Sequence, residues 1–317
     1  MAVPILLVSG FLGAGKTTLI NHLLGAADGR RIAAVVNDFG AINIDAELVA
    51  SSADGVVALS NGCICCSLQG DLLRTLGQLL KRDPPPDAII IETSGVSDPA
   101  EIVRSLLDPV IWREAALETV IALADARALA DDPALIDDPL CRAQLAAGDL
   151  VALNKADLVT PEELAAARAL IARLAPARAI FDVSEGRIAP ELAFAGPADD
   201  SRAPEAGSSD GRPRAHGFST PRFESIAFTA RKPFSLGRFQ VAMQALSPRL
   251  VRAKGFVAFA EQGGRPMLFQ LVGQRATLGP APMERDPAWP VRLVLIAENG
   301  QLDRDETDAL LQSCLAD

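Results

Sequence analysis

The chain has no long apolar run: nothing in it approaches the roughly 20 unbroken apolar residues of a membrane-spanning helix. Its N-terminus lacks a basic segment followed by a longer apolar one, so no signal peptide is expected. It is also short of positive charge. The 30 Lys and Arg are outnumbered by 40 Asp and Glu, for a formal net charge of −10. That argues against nucleic acid as the main partner, because binding phosphate backbones takes a surplus of cations. Acidity aids solubility but names no partner. Histidine is nearly absent, with two residues, and three of the five cysteines crowd into one tetrapeptide. Such spacing is unlike a disulfide framework; it suits a reducing compartment, expected to be the cytoplasm, and a metal or redox role. No internal repeat is present.

What is there is a large reserve of apolar side chains. At 317 residues and 49% hydrophobic, the chain can fill about two domains and is not globally disordered. Residues 1–195 alternate strand-like apolar runs with helical patterns. The expected strands are Val3–Val8, Ile32–Val36, Gly55–Leu59, Ala88–Ile91, Thr119–Ala124, Asp149–Leu153 and Ala177–Phe181. Helix-like segments include Asp71–Lys81, Glu101–Leu107 and Glu162–Leu174, the last behind the start signal Thr160-Pro161-Glu162-Glu163. Such alternation predicts an α/β fold with a mainly parallel sheet. Residues 196–221, rich in Gly, Pro, Ser, Asp and Arg, read as a flexible linker. Residues 222–317 then read as a smaller α+β domain, its strands taken as antiparallel. Its expected strands are Phe223–Thr229, Leu250–Ala260, Met267–Val272 and Val291–Ile296, with helices over Leu236–Leu246 and Asp303–Cys314.

The most informative motif is Gly10-Phe11-Leu12-Gly13-Ala14-Gly15-Lys16-Thr17, which fits the P-loop pattern G-x-x-x-x-G-K-[ST]. An expected strand precedes it and a helical pattern follows from Thr18, so backbone N–H groups and a helix N-terminus converge on an anion. Gly10, Gly13, Ala14, Gly15 and Thr18 complete the expected cradle, Lys16 meets the β- and γ-phosphates, and the Thr17 hydroxyl ligates Mg²⁺.

Three further segments complete a nucleotide site. Asn154-Lys155-Ala156-Asp157 has the N-K-x-D spacing of a guanine reader. Asp157 accepts from the N1–H and N2–H₂ edge, which adenine does not offer, Asn154 reaches the other side of the base, and the Lys155 stem packs on its face. Ala88 to Gly95 reads as a Walker B strand that delivers Glu92 to the metal and the attacking water, with Gly95 offering an N–H to the γ-phosphate. Most P-loop enzymes place Asp where Glu92 stands. Val36 to Asp45 reads as switch I, with Asp38 and Asp45 as alternative Mg²⁺ ligands. The expected cofactors are therefore GTP and Mg²⁺. A P-loop kinase would use the same cradle, but the guanine-reading spacing favours a GTPase.

The cysteines stand in Asn61-Gly62-Cys63-Ile64-Cys65-Cys66. Thiolates at Cys63, Cys65 and Cys66 suit Zn²⁺, Cu⁺ and similar ions, and three ligands leave a position open for hand-over. Buried apolar cysteines and a redox pair are the competing readings. Cys141 and Cys314 lie in helical patterns and are expected in cores.

Taken together, Gly10–Thr17, Asn37–Gly40 with Asp45, Cys63–Cys66, Glu92–Gly95 with Asp98-Pro99, Asn154–Asp157 and Leu250–Gly255 make the chain resemble the CobW-type metallochaperone GTPases, relatives of the urease and hydrogenase nickel-insertion GTPases. The resemblance covers nearly the whole chain, and its most specific feature is C-x-C-C between Walker A and an E-x-x-G Walker B. It implies Mg²⁺-dependent GTP hydrolysis, a transition metal (Zn²⁺ or Co²⁺) on Cys63, Cys65 and Cys66, and delivery of that metal to a client metalloprotein or a metal-cofactor pathway enzyme. Many relatives carry a histidine-rich tract before the C-terminal domain. Here that stretch holds only His216, and the other histidine, His22, is on the P-loop helix, so bulk metal storage is not implied. The reading from another class is a GTP-switched regulatory protein whose cysteines are structural or redox-active.

Overall fold

A computed structural model describes residues 2–27, 29–36, 56–58, 67–106, 114–175, 178–194, 223–273, 275–281 and 290–316. The expected linker over 196–221 lies outside these residues. The chain divides into two compact units, Met1–Phe194 and Ala195–Asp317.

The first unit is built on a seven-stranded sheet with the order β3-β2-β4-β1-β5-β6-β7. These strands are β1 (Val3–Gly10), β2 (Ile32–Val36), β3 (Val56–Ala58), β4 (Ala88–Glu92), β5 (Ala115–Asp125), β6 (Leu150–Asn154) and β7 (Ala179–Asp182). Every pairing is parallel. Strands covered on both faces read as unbroken apolar runs, and β1 and β4 do so: Ile5 to Val8 and Ile89 to Ile91 are essentially inaccessible to solvent. Helices α1 (Lys16–Gly25), α2 (Ser67–Leu80), α3 (Pro99–Leu106), α4 (Ala126–Asp131), α5 (Pro139–Ala147), α6 (Pro161–Leu174) and α7 (Pro190–Ala193) complete the described part of this unit. One face packs Ile5, Leu7, Val35, Ile89 and Ile91 with Leu72, Leu76 and Leu79 of α2. Another cluster joins Ala122, Val151 and Leu153 to Cys141 and Leu145 of α5 and Ile171 of α6. Helix α6 begins as its sequence dictates, with Thr160 and Glu163 forming a reciprocal capping box and Pro161 in the first turn.

β5 departs most from expectation. It starts at Ala115 rather than Thr119, because Ala115–Leu117 pairs with Val3–Ile5 and the register then shifts between Ile5 and Leu6. Glu118 breaks the apolar run in sequence yet is buried, at 6% exposure. At the head of β6, the buried Asp149 carboxylate accepts the Val120 N–H at 2.8 Å, pinning β5 to the loop before β6.

The second unit is a five-stranded antiparallel sheet, ordered β11-β10-β9-β12-β8. Its strands are β8 (Phe223–Ala230), β9 (Leu250–Ala258), β10 (Pro266–Val272), β11 (Arg275–Pro280) and β12 (Val291–Glu298). Helices α8 (Leu236–Leu246) and α9 (Arg304–Ser313) supply Phe239, Met243, Leu246 and Leu311 to its core. Phe239 stacks on Phe234 at 5.1 Å between ring centroids and meets Phe269 edge-on at 5.2 Å. β11 was not expected, since it is an exposed edge strand without a buried face to pattern its sequence. The fold is thus the expected α/β P-loop architecture with a smaller α+β domain.

Candidate nucleotide site

The polar residues gather at the C-terminal ends of the parallel strands, where open α/β sheets hold their ligands. β1 ends at Gly10 and α1 begins at Lys16. Gly15 caps the helix in the left-handed region at φ 98°, without a side-chain cap, and the first turn of α1 carries no acid. No acidic side chain of α1 itself therefore competes with an anion for its leading N–H groups. A Cβ on Gly15 would run into the side-chain nitrogen of Asn154. Gly15→Ala therefore combines left-handed strain with a steric conflict, of order 1–3 kcal/mol for the backbone alone. We expect a melting temperature several degrees lower and at least tenfold weaker GDP binding; a variant matching wild type in both would contradict this packing.

Lys16 is buried, at 7% exposure, and its ammonium donates to the carbonyls of Gly10 at 3.0 Å and Phe11 at 3.1 Å. The cation is thus held over the loop that wraps the expected phosphates. The Thr17 hydroxyl donates to Glu92 Oε1 at 3.3 Å. Thr17 is the second residue of α1 and Glu92 ends β4, so two of the expected Mg²⁺ ligands come together from different elements. A hydroxyl and a buried carboxylate are hard oxygen donors, the kind Mg²⁺ takes. Gly95 follows on the loop after β4, and a Cβ there would meet Leu12 of the P-loop within 3 Å.

Asn154 makes contacts that the sequence did not indicate. It is 2% exposed; its amide nitrogen donates to Ala14 O at 2.9 Å and its Oδ1 accepts from Gly186 N at 3.1 Å. Asn154 thus ties the P-loop to the loop after β7, and the Ala14 bond uses one of the two N–H groups on its amide nitrogen. Lys155 takes a left-handed conformation, φ 60°, and its ammonium lies 2.6 Å from Asp125 Oδ2. Asp125 ends β5 and caps α4 by accepting from Ala128 N. This pair holds the Lys155 side chain across the end of the sheet. Asp157 lies on a short turn, Ala156–Leu158, and is exposed.

Sequence reasoning missed three participants: Asp125, Gly186 and Gln144. Gln144 is on α5, 1% exposed, and its amide donates to Gly95 O at 3.0 Å and Ser97 O at 3.2 Å. Its available signal was a polar residue on the buried stripe Cys141, Gln144, Leu145 of α5. Cys141 and Cys314 are free and buried, as core residues are. Burial pushes both thiols up, with Asp138 adding to the effect at Cys141, so neither is a ready thiolate. Asp38, Asp45, Cys63, Cys65, Cys66 and His216 lie outside the described residues. Among the described residues no helix is long and apolar enough to cross a membrane.

Comparison with known proteins decides the lineage. The family model described as "CobW/HypB/UreG, nucleotide-binding domain" matches residues 4–182. The chain belongs to this family. Residues 223–315 match the "Cobalamin synthesis protein cobW C-terminal domain". The CobW/HypB/UreG match thus spans the strands and loops that gather Lys16, Glu92 and Asn154. Among curated proteins the chain is 35% identical over 216 residues to "Zinc chaperone CobW" of Pseudomonas aeruginosa, covering 59% of this chain and 58% of that protein. It is 33% identical over 197 residues to "Zinc chaperone YjiA" of Escherichia coli, covering 61% of each. A longer match, 28% identical over 321 residues, covers 87% of this chain and 67% of "Zinc-regulated GTPase metalloprotein activator 1" of Dictyostelium discoideum. The first two matches thus span about three fifths of those relatives' own lengths.

Proposed function

We propose that this chain is a GTP-hydrolysing metallochaperone that binds a transition metal, zinc foremost and cobalt second, at Cys63, Cys65 and Cys66 and delivers it to a client metalloprotein or metal-cofactor enzyme. The observation that carries the reading is the convergence of Lys16, the Thr17–Glu92 pair and Asp157 at one edge of the sheet. Family membership and the zinc-related names of three relatives support the metal. The two-domain division, with a linker over 196–221, is part of the same proposal.

In this reading the P-loop N–H groups and Lys16 bind the triphosphate, and Asp157 selects guanine. Water attacks the γ-phosphorus, the bond to the β–γ bridging oxygen breaks, and phosphate and GDP leave. Lys16 stabilises charge as it grows on that oxygen. Gly95 donates its N–H to the γ-phosphate, and Glu92 orients the attacking water. Thr17 and Glu92, with Asp38 or Asp45, would hold Mg²⁺, which when bound would supply charge neutralisation to the triphosphate. The cysteine segment lies in sequence between switch I and Glu92, so nucleotide state and metal affinity are coupled. By linkage each changes the other's affinity by the same factor.

The test is metal content and nucleotide affinity of the wild type beside a variant with Cys63→Ser, Cys65→Ser and Cys66→Ser together. The wild type is expected to hold about one zinc per chain, and the variant none above background. Zinc should shift the GTP affinity of the wild type alone. Equal GTP affinity with and without zinc would remove the coupling. A triple variant that still activates a partner would turn the reading into a regulatory GTPase with structural or redox cysteines.

A further inference from the structure

Helix α5 places one polar side chain against the loop that follows Glu92, and the nucleotide chemistry described above does not yet use it. From the two hydrogen bonds of Gln144 we infer that this residue is a positioning residue for GTP hydrolysis: it clamps the Gly95–Ser97 loop so that the Gly95 N–H is presented to the γ-phosphate. The inference rests on the proposed GTPase reading and deepens it.

The geometry is specific. Both N–H groups of one amide are directed at one loop, onto Gly95 O at 3.0 Å and Ser97 O at 3.2 Å. Gly95 is backbone-permissive by composition, so its ψ would otherwise be loosely determined. Anchoring its carbonyl fixes the peptide plane that follows Gly95, while the plane that carries the Gly95 N–H is held through Ser94 O, which accepts from Ser97 N at 3.1 Å; by bonding Ser97 O as well, Gln144 holds the residue on which that second plane depends. The second anchor, at Ser97, sets the exit of the loop. Ser97 Oγ also donates to Ser94 O at 3.0 Å, and Asp98 then accepts from Ala100 N at 2.9 Å as α3 begins. The loop is thus fixed at both ends, and Gln144 is the one side chain from another element seen bonding to its carbonyls among the described residues.

A purely structural role for Gln144 would satisfy the whole amide. Instead its Oε1 is buried with no hydrogen-bond partner among the described residues, and the same holds for Ser9 Oγ and Thr93 Oγ1 at the ends of β1 and β4. Ser9 stands level with Ala122, which packs with Cys141 and Leu145 of α5, so Ser9 and Gln144 share one face of the sheet. A buried acceptor left unmatched is costly, and apolar residues on either side of Gln144 show that the site accepts them. The amide is explained by its two donors, which serve the loop.

The test compares wild type with Gln144→Leu, which removes the polar atoms, and Gln144→Glu, which keeps the shape and removes both donors. Phosphate release, affinity for GDP and affinity for a non-hydrolysable GTP analogue are measured on each full-length protein. We expect kcat to fall at least tenfold and analogue affinity at least fivefold, with GDP affinity within twofold, because only the triphosphate uses the Gly95 N–H. If Gln144→Leu does not fold, Gln144→Glu decides the matter. Unchanged kcat, or equal weakening of GDP and analogue, would overturn the clamp while leaving GTP hydrolysis by the wild type standing. A wild type that does not hydrolyse GTP would instead remove the underlying reading, and the clamp with it.

Discussion

Lys16→Met is expected to lower GTP hydrolysis by at least a hundredfold at saturating nucleotide. The Lys16 ammonium is held by two P-loop carbonyls, at 3.0 and 3.1 Å, in a position 7% exposed. It is therefore desolvated before substrate arrives, and in the proposed reading its charge acts on the β–γ bridging oxygen with little screening from water. Removing one preorganised donor from a site of developing negative charge typically costs 10²–10³-fold in rate. Methionine keeps much of the side-chain length, so the comparison isolates charge. A second effect follows from the same contacts: the Gly10 and Phe11 carbonyls lose a donor, at about 1–3 kcal/mol for any such group that stays buried and unpaired. Phosphate release should therefore be read beside a thermal melt in GDP. A folded Lys16→Met protein that hydrolyses GTP at the wild-type rate would refute the assignment of the P-loop.

Asp157→Asn is expected to weaken GTP binding by about a hundredfold and to invert the preference between guanosine and xanthosine triphosphates. Guanine offers two donors, N1–H and the N2 amino group, and a carboxylate accepts both. Xanthine replaces the amino group by a carbonyl, which a carboxylate repels and an amide N–H can donate to. A site built for one hydrogen-bond pattern rejects the other because a polar group is left unmatched. Asp157 is exposed at the end of β6, while Lys155 is held by Asp125 at 2.6 Å, so the exchange alters the base-reading atoms without disturbing buried packing. Competition titrations with the two nucleotides give the ratio directly. An unchanged ratio would mean that this turn does not read the base.

Much of the nucleotide-binding unit was legible because its signals are local. The P-loop is eight consecutive residues whose glycines and lysine impose their own geometry. β2 was expected over Ile32–Val36 and lies there, because a strand buried on both faces must be apolar throughout. Local reasoning failed where a residue's role is set by a partner from elsewhere. The strand expected from Thr119 starts instead at Ala115, before the charged Glu118, because Ala115–Leu117 finds a partner in β1. Asn154 reads in sequence only as a base contact, and its bonds to Ala14 and Gly186 appear only when β6 stands beside the P-loop. Gln144 carried no motif, and its significance arises only when α5 meets the loop after β4.

The amino-acid sequence on its own determined the α/β class and the motifs expected at the phosphate and base positions, because each depends on residues close together in the chain. Only the tertiary structure decided which polar groups serve each other. The bonds Gln144–Gly95, Thr17–Glu92 and Asn154–Ala14 join residues 49, 75 and 140 positions apart. Contacts at those separations follow from the order β4-β1-β5-β6, which places distant strand ends side by side, and strand order is set by the collective packing of the sheet rather than by any one segment.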